Sequence, residues 1–197
     1  MPQSTNQKNN SVRIIAGEYR SRKLEFPSLE GLRPTADRIR ETLFNWLQDS
    51  IQGETCLDLF AGSGALGFEA LSRGASHVDF IEQNTAAANS IRSNIARLNT
   101  KHGSVYCSDA FEWLDKYAQD SEKYGLVLLD PPFKGEALSQ AIVKLESANL
   151  LRENGLVYIE TDKNSLDEDL PSNWIKVKSK KAGAVQYGLY NFLGSNK

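Results

Sequence analysis

The segment "LDLFAGSGALG", Leu57–Gly67, constrains the fold more than any other part of this 197-residue chain. It places Gly62, Gly64 and Gly67 in a G-x-G-x-x-G pattern directly after an apolar run. The pattern is typical of a tight strand-to-helix turn that brings the backbone close to a nucleotide-like ligand. NAD and S-adenosylmethionine both carry an adenosine and both fit such a turn. A turn that binds nothing fits the pattern as well.

Predicted strands and helices alternate from residue 56 to residue 160. Such alternation predicts an α/β fold, in which helices cover both faces of a mostly parallel sheet. Two more strand-like segments, 174–181 and 184–192, flank Gly183 and predict a reversed hairpin after the parallel strands. The predicted strands of the sheet number seven, and the first five are 56–60, 77–82, 104–109, 124–130 and 155–160.

The N-terminal part of the chain differs from the rest in charge and pattern. Residues 1–11 are polar and predict a disordered tail. Residues 12–34 predict a basic hairpin around Gly17 and a loop, and residues 35–193 form the main domain. Thr35 has the chemistry of a helix N-cap for a helix over 36–51.

Composition and cysteine usage limit the classes of protein. The net charge of −2 argues against a protein that attracts nucleic acid with its whole surface, although basic residues concentrate between Arg13 and Arg40. That segment predicts either a solvated surface or a local phosphate-binding patch. No apolar stretch is long enough for a membrane span. Cys56 and Cys107 are expected to be buried free thiols of a cytoplasmic protein, and the two histidines lack metal-ligand spacing, so no metal is expected.

Two carboxylates bear on the choice of cofactor. Glu82 ends the second strand, twenty positions after Gly62, where its carboxylate can accept hydrogen bonds from two ribose hydroxyls. Asp58 lies in the first strand, where a carboxylate repels a pyrophosphate but suits an ammonium or sulfonium group. These features favour S-adenosylmethionine over NAD.

The tetrapeptide "DPPF" follows the apolar strand 124–130 at the edge where ligands bind. Residues before proline are extended, so Asp130 and Pro131 form a stiff rim with a carboxylate and a carbonyl as acceptors. An exocyclic amine of a base offers two donors to these acceptors, and Phe133 can stack on the base. The predicted catalytic residues are Asp130, Pro131, Pro132 and Phe133. The competing interpretation is an Asp-Pro turn with a core phenylalanine.

Together, "DLFAGSGALG", "IE" and "DPPF" resemble the motifs of amino methyltransferases that use S-adenosylmethionine. The segments "RIIAGEYRSRKLEFP", "GLRPTADRIRETLFNWL" and "ALSRGA" are similar to those of the bacterial RsmD family, over about Arg13 to Phe192. The resemblance implies a Rossmann-like methyltransferase fold. It also implies methyl transfer to the N2 amine of guanine, expected at position 966 of 16S rRNA, within an assembled small ribosomal subunit.

The resemblance also implies roles for individual residues. Asp58 and the turn Phe60–Gly64 are expected to hold the methionine part of the cofactor, with Glu82 on the ribose. Asp109 and Ala110 are expected near the adenine amino group, and Thr35 and Arg38 near the cofactor carboxylate. The full cofactor-binding prediction is Thr35, Arg38, Asp58, Phe60, Ala61, Gly62, Ser63, Gly64, Glu82, Gln83, Asp109, Ala110 and Asp130.

RNA contacts are predicted for the basic N-terminal segment and for one lysine beside the catalytic tetrapeptide. These residues are Arg13, Arg20, Arg22, Lys23, Arg33 and Lys134. A guanine inside a helix cannot reach the rim, so the target base has to be unpaired or flipped out. The alternatives are an amino methyltransferase acting on another RNA, on DNA adenine or on protein glutamine, and a non-catalytic RNA-binding assembly factor. The protein is expected to be a monomer.

Overall fold

A seven-stranded sheet forms the centre of the fold, as the alternating pattern predicts. The computed structural model describes residues 10–117, 123–132, 136–161 and 170–194. A separate two-stranded antiparallel hairpin precedes the sheet. The elements are β1 (Asn10–Arg13), β2 (Lys23–Phe26), α1 (Asp37–Trp46), β3 (Thr55–Asp58), α2 (Ala65–Ser72), β4 (His77–Ile81), α3 (Thr85–Leu98), β5 (Gly103–Tyr106), α4 (Ala110–Tyr117), β6 (Tyr124–Leu129), α5 (Ala137–Ala148), β7 (Leu151–Thr161), β8 (Trp174–Ala182) and β9 (Val185–Phe192).

The strand order of the sheet is β5-β4-β3-β6-β7-β9-β8. The five strands from β5 to β7 are parallel, and β9 runs antiparallel to both β7 and β8. The predicted reversed hairpin therefore forms, with its second strand inserted beside β7. The order reverses between β3 and β6, and ligands of open α/β sheets bind outside the carboxyl ends of the strands near such a point.

Apolar side chains cover both faces of the sheet. One face packs against α1, α2, α3 and the N-terminal hairpin, and the other packs against α4 and α5. The middle strand β6 is buried along its whole length, as expected for a strand with helices on both sides. No helix in the described ranges is long and apolar enough to cross a membrane.

The N-terminal hairpin is tied to the main domain by hydrogen bonds to α3 and α2. The Asn94 side chain both accepts from Glu25 N–H and donates to Glu25 C=O, at 3.1 Å and 2.8 Å. Glu18 N–H donates to Ser72 C=O at 2.7 Å, at the end of α2. β1 begins at Asn10, so the strand includes two residues that the sequence assigns to the tail.

Several boundaries differ from the sequence prediction; β3 and β5, for example, end at Asp58 and Tyr106 rather than at residues 60 and 109. Helix α1 ends at Trp46 rather than near residue 51, and its N-cap is Ala36 without a side-chain hydrogen bond, so the prediction of Thr35 as the cap was wrong. Strand β7 begins at Leu151 rather than at Gly155. Asn154 has a positive φ of 61° and lies where the pairing between β6 and β7 shifts register.

Cys107 also departs from the prediction. It is exposed, whereas Cys56 is buried as expected. β5 is the edge strand of the sheet and ends at Tyr106. The thiol of Cys107 therefore lies beyond the strand, outside the packed layers.

Candidate active site at the carboxyl edge of the sheet

Three glycines shape the turn between β3 and α2. Gly62 and Gly64 have positive φ values of 53° and 76°, which side chains other than glycine rarely adopt. Gly67 faces the ring of Phe80, and a Cβ at this position would lie 2.2 Å from Phe80 Cε1. The pattern therefore serves both the sharp turn and the close packing of α2 on β4, as in other nucleotide-binding turns.

Asp58 is the last residue of β3 and lies beneath this turn. Its side chain is only 1% exposed, and Oδ2 accepts a hydrogen bond of 3.0 Å from Gly67 N–H. Burial is the main cause that raises the Asp58 pKa to about 7, and the charges of Asp130 and Glu82 raise it further. A positively charged ligand at this position would stabilise the ionised carboxylate, because opposite charges favour each other in a desolvated site.

Glu82 follows β4 and holds the glycine turn from the other side. Oε2 accepts from Gly62 N–H at 2.8 Å, and Oε1 accepts from Asn84 N–H at 2.6 Å. Burial raises the Glu82 pKa, while these two hydrogen bonds lower it. A carboxylate oxygen can accept more than one hydrogen bond, so both oxygens remain able to accept from ribose hydroxyls.

Asp130 follows β6 at the same edge of the sheet. Its Oδ2 accepts a hydrogen bond of 3.0 Å from Thr35 Oγ1, so Thr35 contacts the predicted catalytic carboxylate instead of capping α1. Burial raises the Asp130 pKa to about 6, and the Thr35 hydrogen bond opposes this shift. Pro131 is buried and Pro132 is exposed. Phe133 and Lys134 lie outside the described residues.

The sequence did not identify Glu160 as a member of this site. Leu129 of β6 pairs with Ile159 of β7, so Asp130 and Glu160 follow as neighbours. Glu160 is 4% exposed, and its Oε2 accepts from the Tyr158 hydroxyl at 2.7 Å. Burial and then the charge of Asp130 raise the Glu160 pKa to about 8. The sequence did contain a signal that could have identified Glu160, because this acidic residue ends the predicted strand 155–160, as Glu82 ends the predicted strand 77–82.

The site therefore carries four carboxylates, Asp58, Glu82, Asp130 and Glu160, whose pKa values are raised by burial. Within the described ranges, no ion pair joins any of them to a lysine or an arginine. Such a set fits a cationic ligand better than a pyrophosphate. Groups of three or more side chains able to hold a metal ion are absent from the same ranges.

The other residues predicted to bind the cofactor lie around the same edge of the sheet. Asp109 Oδ1 accepts from Phe111 N–H at 2.8 Å and from Glu112 N–H at 3.2 Å, so this carboxylate caps α4. Arg38 lies on α1 and is exposed, three residues beyond Thr35. The remaining residues of the predicted set lie in the turn or just after β4 and β5, and they are Phe60, Ala61, Ser63, Gln83 and Ala110.

The predicted RNA contacts fall into two groups. Arg33 is exposed and precedes Thr35, close to the site. Arg13, Arg20, Arg22 and Lys23 are also exposed, but the hairpin that carries them is attached near the C-terminal ends of α2 and α3. Because both helices run away from the carboxyl edge, Arg20, Arg22 and Lys23 lie toward the opposite edge, whereas the Arg13 carbonyl accepts from Arg40, which also donates to the Thr35 carbonyl. For α3, with 14 residues, that run is about 21 Å.

The fold and the site define a Rossmann-like, S-adenosylmethionine-dependent methyltransferase. Within that class the chain belongs to the RsmD family, because residues 12–191 match the family described as "Conserved hypothetical protein 95" and named relatives cover most of the chain.

The relatives share both sequence and fold with this chain. Ribosomal RNA small subunit methyltransferase D of Haemophilus influenzae is 46% identical over 183 residues, which are 91% of this chain and 93% of that protein. The Escherichia coli protein of the same name is 43% identical, with 91% of this chain and 89% of that protein covered. A solved Escherichia coli structure, described as a candidate methyltransferase, has a TM-score of 0.85 at 40% identity, with 93% and 98% covered.

Proposed function

We propose that this protein transfers a methyl group from S-adenosylmethionine to the exocyclic N2 amine of a guanine in small-subunit ribosomal RNA. The single observation that carries the proposal is the half-buried Asp130 beside Glu160, at the edge of the sheet that carries the glycine turn. The names of the curated relatives support ribosomal RNA of the small subunit as the substrate class. The family resemblance supports guanine, its N2 atom and position 966.

Binding of the cofactor is assigned to the turn and its flanking carboxylates. Asp58 faces the positive charge of the methionine part, while Glu82 accepts hydrogen bonds from the ribose. The bound cofactor supplies an activated methyl group on a sulfonium. Asp58 ionises more readily once a cation lies beside it, which couples cofactor binding to loss of a proton from this site.

The base is positioned by the rim that follows β6. The N2 lone pair of guanine is delocalised into the ring, so the amine is a poor nucleophile, and positioning is the main task of the protein. The Asp130 carboxylate accepts one N2 hydrogen, and the Pro131 carbonyl accepts the other. The bond from N2 to the methyl carbon forms as the bond from that carbon to sulfur breaks, and one N2 proton is then released to solvent. Asp130 stabilises the positive charge that develops on the nitrogen, without reorganisation of solvent. Thr35 fixes the orientation of this carboxylate from the other side.

The proposed substrate is an assembled small ribosomal subunit, because one short domain reads little sequence on its own. The protein would act as a monomer in the cytoplasm, where this RNA lies. The decisive experiment incubates labelled S-adenosylmethionine with small subunits that lack the modification and identifies the product nucleoside by mass. N2-methylguanosine at a single position supports the proposal. Transfer to another base or atom, or no transfer, contradicts it.

The alternative that uses NAD can be tested by calorimetry. S-adenosylhomocysteine is expected to bind, while NADH is not, because the buried Asp58 faces the place where a pyrophosphate would lie. Tight binding of NADH without binding of S-adenosylhomocysteine would contradict the assigned cofactor.

A further inference from the structure

The C-terminal hairpin carries a concentration of positive charge that the known motifs do not explain. Residues 174–192 contain four lysines and no acidic residue, which gives +4 in a chain whose net charge is −2. All four lysines lie on β8, and residues 175–181 of this strand are exposed. They are Lys176, Lys178, Lys180 and Lys181.

The direction of β8 brings three of these lysines, Lys178, Lys180 and Lys181, to the same edge as the candidate active site. β9 is antiparallel to β7, and β8 is antiparallel to β9, so β8 runs in the same direction as the parallel strands. Its C-terminal half, with Lys178 and Lys180, therefore lies toward the carboxyl edge. The hairpin residues Arg20 and Arg22 lie toward the opposite edge.

The strand register places Lys180 in one row with the catalytic carboxylate. Lys180 pairs with Tyr187 of β9, and Tyr187 pairs with Glu160 of β7, which neighbours Asp130. Residues paired across a sheet point to the same face. Lys180 therefore lies on the Glu160 face, three strands from β6 and about 14 Å from the Asp130 backbone at about 4.8 Å per strand.

Lys178 belongs to the preceding row on the same face. It pairs with Leu189, which in turn pairs with Tyr158, the hydrogen-bond donor to Glu160. The described part of the chain contains no ion pair between a carboxylate and either Lys178 or Lys180. Two exposed ammonium groups thus stand on one face of the sheet, beside a site whose proposed substrate is a polyanion.

We propose that Lys178 and Lys180 form a phosphate-binding surface for the substrate RNA backbone next to the target base. The inference rests on the proposed function, because it needs an RNA substrate at the carboxyl edge. Phosphates of an unpaired strand that leaves the site along this face would meet both ammonium groups. The competing explanation is that the lysines only protect an edge strand from pairing with another chain.

The test compares two double variants that remove equal charge. Lys178→Gln with Lys180→Gln changes the proposed surface, and Lys101→Gln with Lys123→Gln changes exposed lysines that precede β5 and β6, at the opposite edge. Binding of protein-free small-subunit RNA and of unmodified small subunits is measured against salt concentration. Circular dichroism and S-adenosylhomocysteine binding verify that each variant folds.

Each phosphate contact to a single strand contributes about 0.7 to the slope of log affinity against log salt. The Lys178 and Lys180 double variant should therefore lower the slope by about 1.4 and weaken RNA binding about tenfold near 0.2 M salt. The KM for small subunits should rise by a similar factor, while the rate at saturation stays near that of the wild type. The arginine double variant, Lys178→Arg with Lys180→Arg, should bind like the wild type.

Several outcomes would overturn the proposal. One outcome is that the Lys178 and Lys180 double variant has the salt slope of the wild type and only aggregates more. In that case the lysines serve to keep the edge strand from pairing with another chain. Equal weakening in the Lys101 and Lys123 variant would indicate a general charge effect. If the variant binds subunits more weakly but binds protein-free RNA as the wild type does, the lysines contact a ribosomal protein and not the RNA. If wild-type protein transfers no methyl group to the RNA, the proposed function fails, whatever the lysines bind.

Discussion

The carboxylates of this protein that lie away from water fall into two groups, which differ in whether they have cationic partners. Glu69 of α2 is fully buried and contacts two arginines, whereas Asp58, Asp130 and Glu160 lie at the carboxyl edge without an arginine or lysine partner in the described residues. Both groups are removed from water, so their different partners indicate different tasks.

Each carboxylate oxygen of Glu69 has two partners that carry N–H groups. Its oxygens accept from Ile15 N–H at 2.8 Å and from Ala16 N–H at 3.1 Å, and they pair with Arg40 Nη1 at 3.5 Å and Arg73 Nε at 2.9 Å. Arg40 is itself fully buried and donates to the Arg13 and Thr35 carbonyls. This cluster joins the N-terminal hairpin, α1 and α2, and it leaves no acceptor for a ligand.

Asp58, Asp130 and Glu160 each accept one hydrogen bond from the described residues. Gly67 N–H donates to Asp58, Thr35 to Asp130 and Tyr158 to Glu160. Burial raises all three pKa values, to about 7, about 6 and about 8 for Asp58, Asp130 and Glu160. The lesson is that a buried acid with its cations in place serves the fold, and one without them is available for a ligand.

The largest effect is expected for Glu69→Ala. The substitution removes the Glu69 carboxylate from the buried Arg40 guanidinium, which keeps only Asp37 as a carboxylate partner in the described residues, and it frees the N–H groups of Ile15 and Ala16. Loss of one partner from a buried pair costs about 3–5 kcal/mol in the free energy of unfolding. Denaturant unfolding measures this loss.

Glu54→Ala is the matched control for that experiment. Glu54 pairs with Arg152 at 2.7 Å, but the Arg152 side chain is 55% exposed, so the expected loss is below about 1 kcal/mol. Equal losses in the two variants would show that the Glu69 cluster is no more structural than a surface ion pair.

Asp130→Ala should instead leave the fold intact and slow methyl transfer. Removal of one preorganised electrostatic partner costs on the order of 10² or more in rate, which is about 3 kcal/mol of activation free energy. Asp130→Asn keeps the shape and one acceptor oxygen, so a large loss in that variant identifies the charge as the cause. Single-turnover assays at saturating cofactor and RNA measure it.

The alternative for Asp130 is a turn residue alone. In that case Asp130→Ala would lower stability, and the folded fraction would keep its activity. Near-normal single-turnover rates in both Asp130 variants would therefore contradict the catalytic role, and with it the contrast between the two groups of carboxylates.

The sequence predicted one side of this contrast better than the other. Asp58, Glu82 and Asp130 were predicted as site residues because each ends or follows an apolar strand in a motif with local spacing. Glu69 and Arg40 are 29 positions apart, and the sequence assigned Arg40 to a basic surface segment. This ion pair depends on how α1 packs on α2, so it cannot be predicted from a local sequence pattern.

The same reason explains why the contact of Thr35 with Asp130 was not predicted and why Glu160 was missed. Thr35 looked like a helix cap because a cap is a local property, but its hydroxyl contacts Asp130, 95 positions away. Glu160 becomes part of the site through the register between β6 and β7. The α/β fold, by contrast, followed from strand and helix periodicity, which each segment carries by itself.

Asp58→Asn should separate stability from binding. The Asp58 pKa of about 7 exceeds its unfolded value of about 4, so the folded protein retains the proton longer and its stability falls as pH rises from about 4 to about 7. The variant should lack this loss and be more stable at pH 8, on the order of 2 kcal/mol. It should nevertheless bind S-adenosylhomocysteine more weakly, because the carboxylate no longer faces the ammonium group.

Unfolding at pH 5 and pH 8, with calorimetry at pH 8, tests both halves of that prediction. A variant that is less stable at pH 8 than the wild type would show that the Asp58 carboxylate serves the fold, as Glu69 does. Unchanged binding of S-adenosylhomocysteine would show that Asp58 does not face the ligand.

The smallest effect is expected for Thr35→Val, which removes the hydroxyl donor to Asp130 and keeps the side-chain shape. Loss of this hydrogen bond should raise the Asp130 pKa further above about 6, since the bond favours the ionised form. Methyl transfer at pH 7 should fall about fivefold, equivalent to about 1 kcal/mol, and recover as pH rises. Thr35→Ser retains the donor and should keep the wild-type pH profile. If both variants lose activity equally at every pH, Thr35 acts through packing alone, and the orientation of Asp130 does not depend on its hydroxyl.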